Sequence, residues 1–190
     1  MRIISGEARG RRLARFKGQK IRPASDKVRG AIFNILGSAL KESEVLDLFA
    51  GTGALGIEAL SRGAKKVVFF ENSPAALRVL NENLSLCRYG ERAEVVKTPV
   101  ERGLKLLIKK GERFDHIFLD PPYGKGMVEK SLKMLSRGEI LKEGGIITLK
   151  HSDRELPLER YGNLILSDQR DYGRQHVSFF TPMKGLRWKK

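Results

Sequence analysis

The sequence predicts a doubly wound α/β domain with a mostly parallel sheet, an antiparallel pair of strands at its C-terminal edge and a basic N-terminal extension. Three observations carry that expectation. From residue 44 to residue 150, short apolar runs alternate with stretches of helical periodicity. The last segment, NLILSDQRDYGRQHVSFFTPM, holds two strand-like stretches joined by polar residues and a glycine, with no helix between them. The first 29 residues carry ten Lys and Arg against Glu7 and Asp26, which places +8 of the formal net charge of +15 there.

Taken in order, residues 9 to 20 have few apolar side chains and read as a basic, partly irregular arm. SDKVRGAIFNILGSAL, at 25 to 40, offers Ser25 and Asp26 as N-caps and sets Val28, Ile32, Ile35, Leu36 and Leu40 on one helical face. Strands are expected at 45–50, 66–71, 93–96, 114–120 and 145–150, and helices near 54–62, 74–86, 100–110 and 126–136. Alternation of this kind implies crossover connections, hence a parallel sheet with helices on both faces. KGLRWKK ends the chain with a second basic cluster around Trp188. The expected organisation is an arm and packed helix over 1–40 and a main domain over 41–190.

With 190 residues and 41% apolar composition, one well-buried core is expected. Clustered Lys and Arg neutralise phosphates and release counterions, so a nucleic-acid partner is favoured, with Arg9, Arg11, Arg12, Arg22, Lys27 and Arg29 as candidate RNA contacts. Cys87 is the single cysteine, which excludes an intrachain disulfide and suits a small buried role. No apolar run has bilayer length and MRIISGEARGRR lacks the apolar core of a signal peptide, so a cytoplasmic chain without a membrane partner is expected, and a monomer. His116, His151 and His176 are far apart and lack ligand spacing, so no metal is expected; His151 and His116 read as structural.

GTGALG follows the first strand directly, and Gly51, Gly53 and Gly56 have the spacing of a strand-to-helix turn that lets a ligand approach backbone closely. Such glycines can also serve helix-on-sheet packing alone. Glu71 ends the second strand, 20 residues after Gly51, where a carboxylate can accept hydrogen bonds from both hydroxyls of a ribose. Asp47 lies inside the first strand, where an unpaired carboxylate is costly. It has two readings: a contact to the ammonium of S-adenosylmethionine, or a bond to backbone amides of the turn.

FLDPPYG, at 118 to 124, ends the fourth strand with a carboxylate, two prolines and a ring. In the usual doubly wound order that strand neighbours the first, so Asp120 is expected to face the ligand crevice. The exocyclic amine of a nucleobase is a weak nucleophile because its lone pair is delocalised. A carboxylate and a fixed backbone carbonyl, each accepting one N–H, favour a pyramidal nitrogen aimed at a methyl donor. Tyr123 offers a face for an extruded base, and in-line placement supplies most of the rate.

DLFAGTGALG, Glu71 and DPPY together resemble the class I S-adenosylmethionine-dependent methyltransferases that act on base amino groups. MRIISGEARGRRL, RPASDKVRGAIFNIL and YGRQHVSFF narrow the resemblance to the bacterial 16S ribosomal RNA guanine-N2 methyltransferases. The resemblance spans nearly the whole chain. It implies a seven-stranded sheet with a reversed last strand, S-adenosylmethionine as cofactor, and small-subunit RNA or an assembling 30S particle as substrate. Cofactor contacts are implied at Asp47, Phe49, Gly51, Gly53, Glu71, Thr98 and Val100, and target-amine contacts at Asp120, Pro121 and Tyr123. Two positions depart from the family pattern: Pro99 stands where an Asp or Asn commonly bonds the adenine, leaving backbone groups or Thr98 for that task, and Gly30 replaces a common acid.

Other functions remain in contention from the residues alone: an adenine-N6 methyltransferase of RNA or DNA, a protein glutamine methyltransferase, a non-catalytic RNA-binding assembly factor, and an NAD-dependent reductase. Glutamine enzymes typically begin the loop with Asn, not Asp. DNA enzymes usually carry a sizeable target-recognition segment, for which this chain is expected to have no room. An idle assembly factor would not need Asp47, Glu71, Asp120 and Tyr123 together. A reductase leaves Asp47 and DPPY without a task.

Overall fold

The computed structural model describes residues 1–16 and 26–183, and Arg22 and Trp188 lie outside the described residues. Two compact units are present, Met1–Pro99 and Val100–Lys190. No described helix is long and apolar enough to cross a membrane.

In the first unit, α1 (Asp26–Leu36) is followed by a 3₁₀ turn at Gly37–Leu40, then β1 (Glu44–Asp47), α2 (Ala54–Ser61), β2 (Lys66–Glu71), α3 (Pro74–Cys87) and β3 (Ala93–Lys97). The strands run parallel in the order β3-β2-β1, with Leu46 opposite Val68 and Val68 opposite Glu94. The expected helix over 25–40 stops at Leu36 because Gly37 adopts φ +54° and the chain tightens into the 3₁₀ turn. The strand expected over 45–50 ends at Asp47, since the backbone already turns at Leu48 and Phe49, ahead of the glycine loop. α3 begins with Ser73 accepting the Ala76 N–H and Pro74 in the first turn, where its missing N–H leaves no bond unmade.

α2 is buried almost all round, and it carries one acid, Glu58, with no exposed surface. Its carboxylate is occupied on every side. Oε2 accepts the Ile4 N–H at 2.8 Å, Oε1 accepts the Ser5 N–H at 3.0 Å and the Arg62 Nε–H at 2.9 Å, and Arg29 Nε lies 3.9 Å away. Ser61 on the same helix binds the next stretch, with its hydroxyl accepting the Ala8 N–H and donating to the Ser5 carbonyl. Residues 1–13 fold back as an antiparallel hairpin, in which Ile3 N–H bonds Arg11 O and Leu13 N–H bonds Met1 O. Asn83 on α3 then receives the Ala14 N–H.

The described part of the N-terminal segment is therefore a folded hairpin stapled to α2 and α3; of the basic, partly irregular arm expected over 9–20, residues 17–20 lie outside the described residues. Ile3, Ala8 and Leu13 are its buried anchors. Their spacing follows no simple strand or helix period, which hid them among the arginines.

In the second unit, α4 (Val100–Lys110), β4 (Phe114–Leu119), α5 (Met127–Gly138) and β5 (Leu141–Ser152) complete the alternation, followed by β6 (Arg160–Tyr161), β7 (Leu164–Tyr172) and β8 (Gln175–Pro182). β4 and β5 are parallel. β8 pairs antiparallel with β5 on one side and β7 on the other, and β6 pairs antiparallel with β7. The antiparallel C-terminal pair is as expected; the two-residue β6 brings the strand count to eight among the described residues, against the seven expected. β5 starts four residues early, at Leu141, because an irregularity around Gly144 (φ +73°) interrupts its pairing with β4 before the regular stretch from Ile146. Phe118, Phe179 and Phe180 fill the core of this unit.

Candidate active site

Asp47 is buried at the end of β1, and its Oδ2 accepts the Gly56 N–H at 3.1 Å. That is the turn-bonding role that the sequence left open for it. Glu71 closes the loop from the neighbouring strand: Oε2 accepts the Gly51 N–H at 2.9 Å, and Oε1 accepts the N–H groups of Asn72 and Ser73 at 2.8 Å each. A carboxylate has about four acceptor positions, and three are in use. One acceptor position is left beside the three amides.

The three glycines divide by task. Gly53 has φ +79°, and a Cβ there would lie 2.4 Å from Leu80 Cδ1. A Cβ on Gly56 would lie 2.2 Å from the Phe69 ring, so this glycine lets α2 approach β2. Gly51 differs: with φ +56°, its Cβ direction meets only Phe49 O, at 4.0 Å. That side of the loop is open, which leaves its backbone accessible. Phe49 is half-buried in the same turn, and Thr98 is buried, its N–H bonded to Glu71 O and its hydroxyl to Pro99 O. Val100 is buried at the start of α4, in the second unit.

Asp120 directly follows β4, with Pro121 buried and Pro122 exposed beyond it. Its two oxygens accept hydrogen bonds from Lys150 Nζ at 2.5 and 2.6 Å. Sequence reasoning missed Lys150. The available signal was a single cation at the end of the buried run GIITLK, and parallel pairing of that run with FDHIFLD, which aligns Leu119 with Leu149. Tyr123 is 44% exposed, and Lys150 Nζ sits 5.8 Å from its ring centroid. Burial pushes the Tyr123 hydroxyl above its ordinary pKa, with the nearby Lys150 charge opposing.

His151 is fully buried on β5, stacked on its cross-strand partner His176 of β8 at 5.5 Å. A carbonyl oxygen only accepts, so the contact to Ser152 O at 3.0 Å puts the proton on Nδ1, and Nε2 accepts from the Ser178 hydroxyl at 2.8 Å. Burial lowers its pKa. This is a satisfied structural histidine. Cys87 is buried on α3, and desolvation raises its thiol pKa, as suits an unreactive residue. Among the described residues no cluster of His, Cys, Asp and Glu could hold a metal ion.

Of the basic residues, Arg9, Arg11 and Arg12 are exposed on the hairpin, Arg11 donating to the Leu86 carbonyl, and Lys27 is exposed on α1. Arg29 requires correction. It is only 1% exposed, donates to the Arg2 carbonyl, and pairs with Asp26 at 3.1 Å and with Glu58. Its guanidinium points inward to bind the N-terminal hairpin and is out of reach of a phosphate.

Residues 1–181 match the sequence profile described as "Conserved hypothetical protein 95". The chain belongs to this family. YlbH of Bacillus subtilis is 38% identical over 95% of this chain and 98% of its own length. "Ribosomal RNA small subunit methyltransferase D" of Haemophilus influenzae is 36% identical over 91% of this chain and 89% of its own. The solved Escherichia coli yhhF protein shares the fold with a TM-score of 0.82 at 29% identity, covering 96% of this chain and 97% of that one. The Conserved hypothetical protein 95 chain described here thus has the class I methyltransferase-like α/β fold.

Proposed function

We propose that the protein transfers the methyl group of S-adenosylmethionine to the exocyclic N2 amine of a guanine in small-subunit ribosomal RNA, in the cytoplasm. The observation that carries this reading is the Asp120 loop: a fixed carboxylate beside an exposed aromatic face. A structural turn needs neither. Support for an RNA acceptor comes from the relatives named for small-subunit ribosomal RNA methylation and from the exposed arginines of the hairpin.

S-adenosylmethionine supplies the electrophilic methyl and leaves as its thioether. The open backbone at Gly51 leaves room for it, and Glu71 retains an acceptor position for a ribose hydroxyl. Asp47 orients the first turn of α2 through Gly56. On the acceptor side, Asp120 and the Pro121 carbonyl each accept an N–H of the amine, and Tyr123 stacks on the extruded base. On methylation the amine would become acidic, and Asp120 or water would take its proton as the carbon–sulfur pair returned to sulfur.

The test is transfer of labelled methyl from S-adenosylmethionine to unmethylated small-subunit RNA and particles, with nucleoside analysis. N2-methylguanosine is expected. Labelled N6-methyladenosine would overturn the guanine assignment, and no transfer despite tight cofactor binding would overturn the RNA-amine acceptor.

A further inference from the structure

Lys150 is a buried cation in an otherwise apolar strand end, its side chain only 3% exposed. The parallel register of β4 and β5 carries Asp120 and Lys150 one step past the Leu119–Leu149 pair, side by side. Burying an ammonium is expensive unless a well-placed partner offsets it. Here the partner is a carboxylate that is itself one quarter exposed. An ammonium centred on both oxygens uses one lone-pair direction of each and leaves the others pointing away from it. The same Nζ lies within cation–π range of the Tyr123 ring. One buried charge therefore touches both side chains that the amine site depends on.

We propose that Lys150 is the positioning residue of the amine site: it holds the Asp120 carboxylate in one orientation, with its outward lone pairs presented to the target N–H groups. This rests on the base-amine reading above. With its side chain almost wholly buried against Asp120, Lys150 acts through that carboxylate, so its removal is expected to act on turnover and leave both binding steps nearly intact.

The experiment compares Lys150→Met, Lys150→Arg and Asp120→Asn in the methyl-transfer assay on unmethylated small-subunit RNA, with Kd for the RNA and for S-adenosylmethionine measured separately by calorimetry. Misplacing a reacting group by about 1 Å costs roughly 100-fold, so Lys150→Met is expected to lower kcat by about 10- to 100-fold, with KM and both Kd values within about twofold. Lys150→Arg is expected to recover a substantial part of kcat, because its fork also engages both oxygens. If Lys150→Met fails to fold, Lys150→Gln carries the same expectation. Wild-type kcat in Lys150→Met, or a fall in kcat matched by weaker RNA or cofactor binding, overturns the positioning role. If Asp120→Asn abolishes transfer while Lys150→Met is unimpaired, the acceptor reading stands and the positioning role alone falls. If both variants keep the wild-type rate, the acceptor reading falls and takes the positioning role with it.

Discussion

Glu58→Ala is expected to be among the most destabilising single substitutions in the first unit. The carboxylate has no exposed surface and accepts two backbone N–H groups, from Ile4 and Ser5, and the Arg62 side chain. Its removal leaves those two amides without their acceptor and deprives buried Arg29 of a counter-charge, although Asp26 and the Arg2 carbonyl remain. Breaking a buried ion pair from one side costs about 3–5 kcal/mol. For a chain of this size about 1 kcal/mol moves Tm by roughly 2–4 °C, so the predicted drop is on the order of 10 °C. Thermal and urea unfolding measure it, and hydrogen exchange at Ile4 and Ser5 tests the cause: those two amides should lose protection more than the β2 amides do. Glu58→Gln keeps one acceptor oxygen and should be milder. A Glu58→Ala destabilisation below about 1 kcal/mol, or exchange that rises equally everywhere, would refute the staple.

The remaining predictions follow from individual side chains. Gly56→Ala gains up to about 1 kcal/mol of helix propensity but drives a methyl to 2.2 Å from Phe69, and overpacking of about 1–3 kcal/mol should win, read as a lower urea midpoint. His151 is neutral in the fold because burial lowers its pKa, with His176 adding to the effect and Ser152 O, Glu155 and Asp171 opposing it. Its contribution is thus complete above the unfolded value of about 6.5 and declines as pH falls through that value toward the lower folded one, because the unfolded chain takes up the proton first. His151→Gln should flatten the acid side of the stability profile; an unchanged profile would contradict the burial argument. Arg9→Glu with Arg12→Glu, both exposed, should weaken RNA binding and lower the log–log salt slope by about 0.7 for each phosphate left unneutralised, with S-adenosylmethionine affinity unchanged. An unaltered slope would remove the hairpin from the RNA surface.

Much of the local structure is legible in the chain because it is written in short periods. α4 occupies the expected 100–110 and β2 the expected 66–71, since a regular apolar pattern bounded by turn residues needs no distant partner to be recognised. The expected ends of β1 and α1 are less accurate, because the backbone turns at Leu48 and Phe49 directly after Asp47 and Gly37 takes positive φ directly after Leu36, while the apolar pattern runs on past both points. The N-terminal hairpin was illegible for another reason. Its stability comes from acceptors on Glu58, Ser61 and Asn83, more than fifty residues away, and its own composition argues for a solvated arm.

The same division holds for the candidate residues. Spacing along the chain singles them out in each unit: a glycine loop after β1 and an acid ending β2 in the first, and Asp-Pro-Pro-Tyr after β4 in the second, each a local chemical pattern. What each acid holds was set by the packed fold. Glu71 clamps three loop amides, Arg29 turns inward to Glu58, and Asp120 is met by Lys150 from the adjacent strand. Those choices depend on strand register and on which buried charges must find partners once water is excluded, and both are settled only when segments distant in sequence pack together.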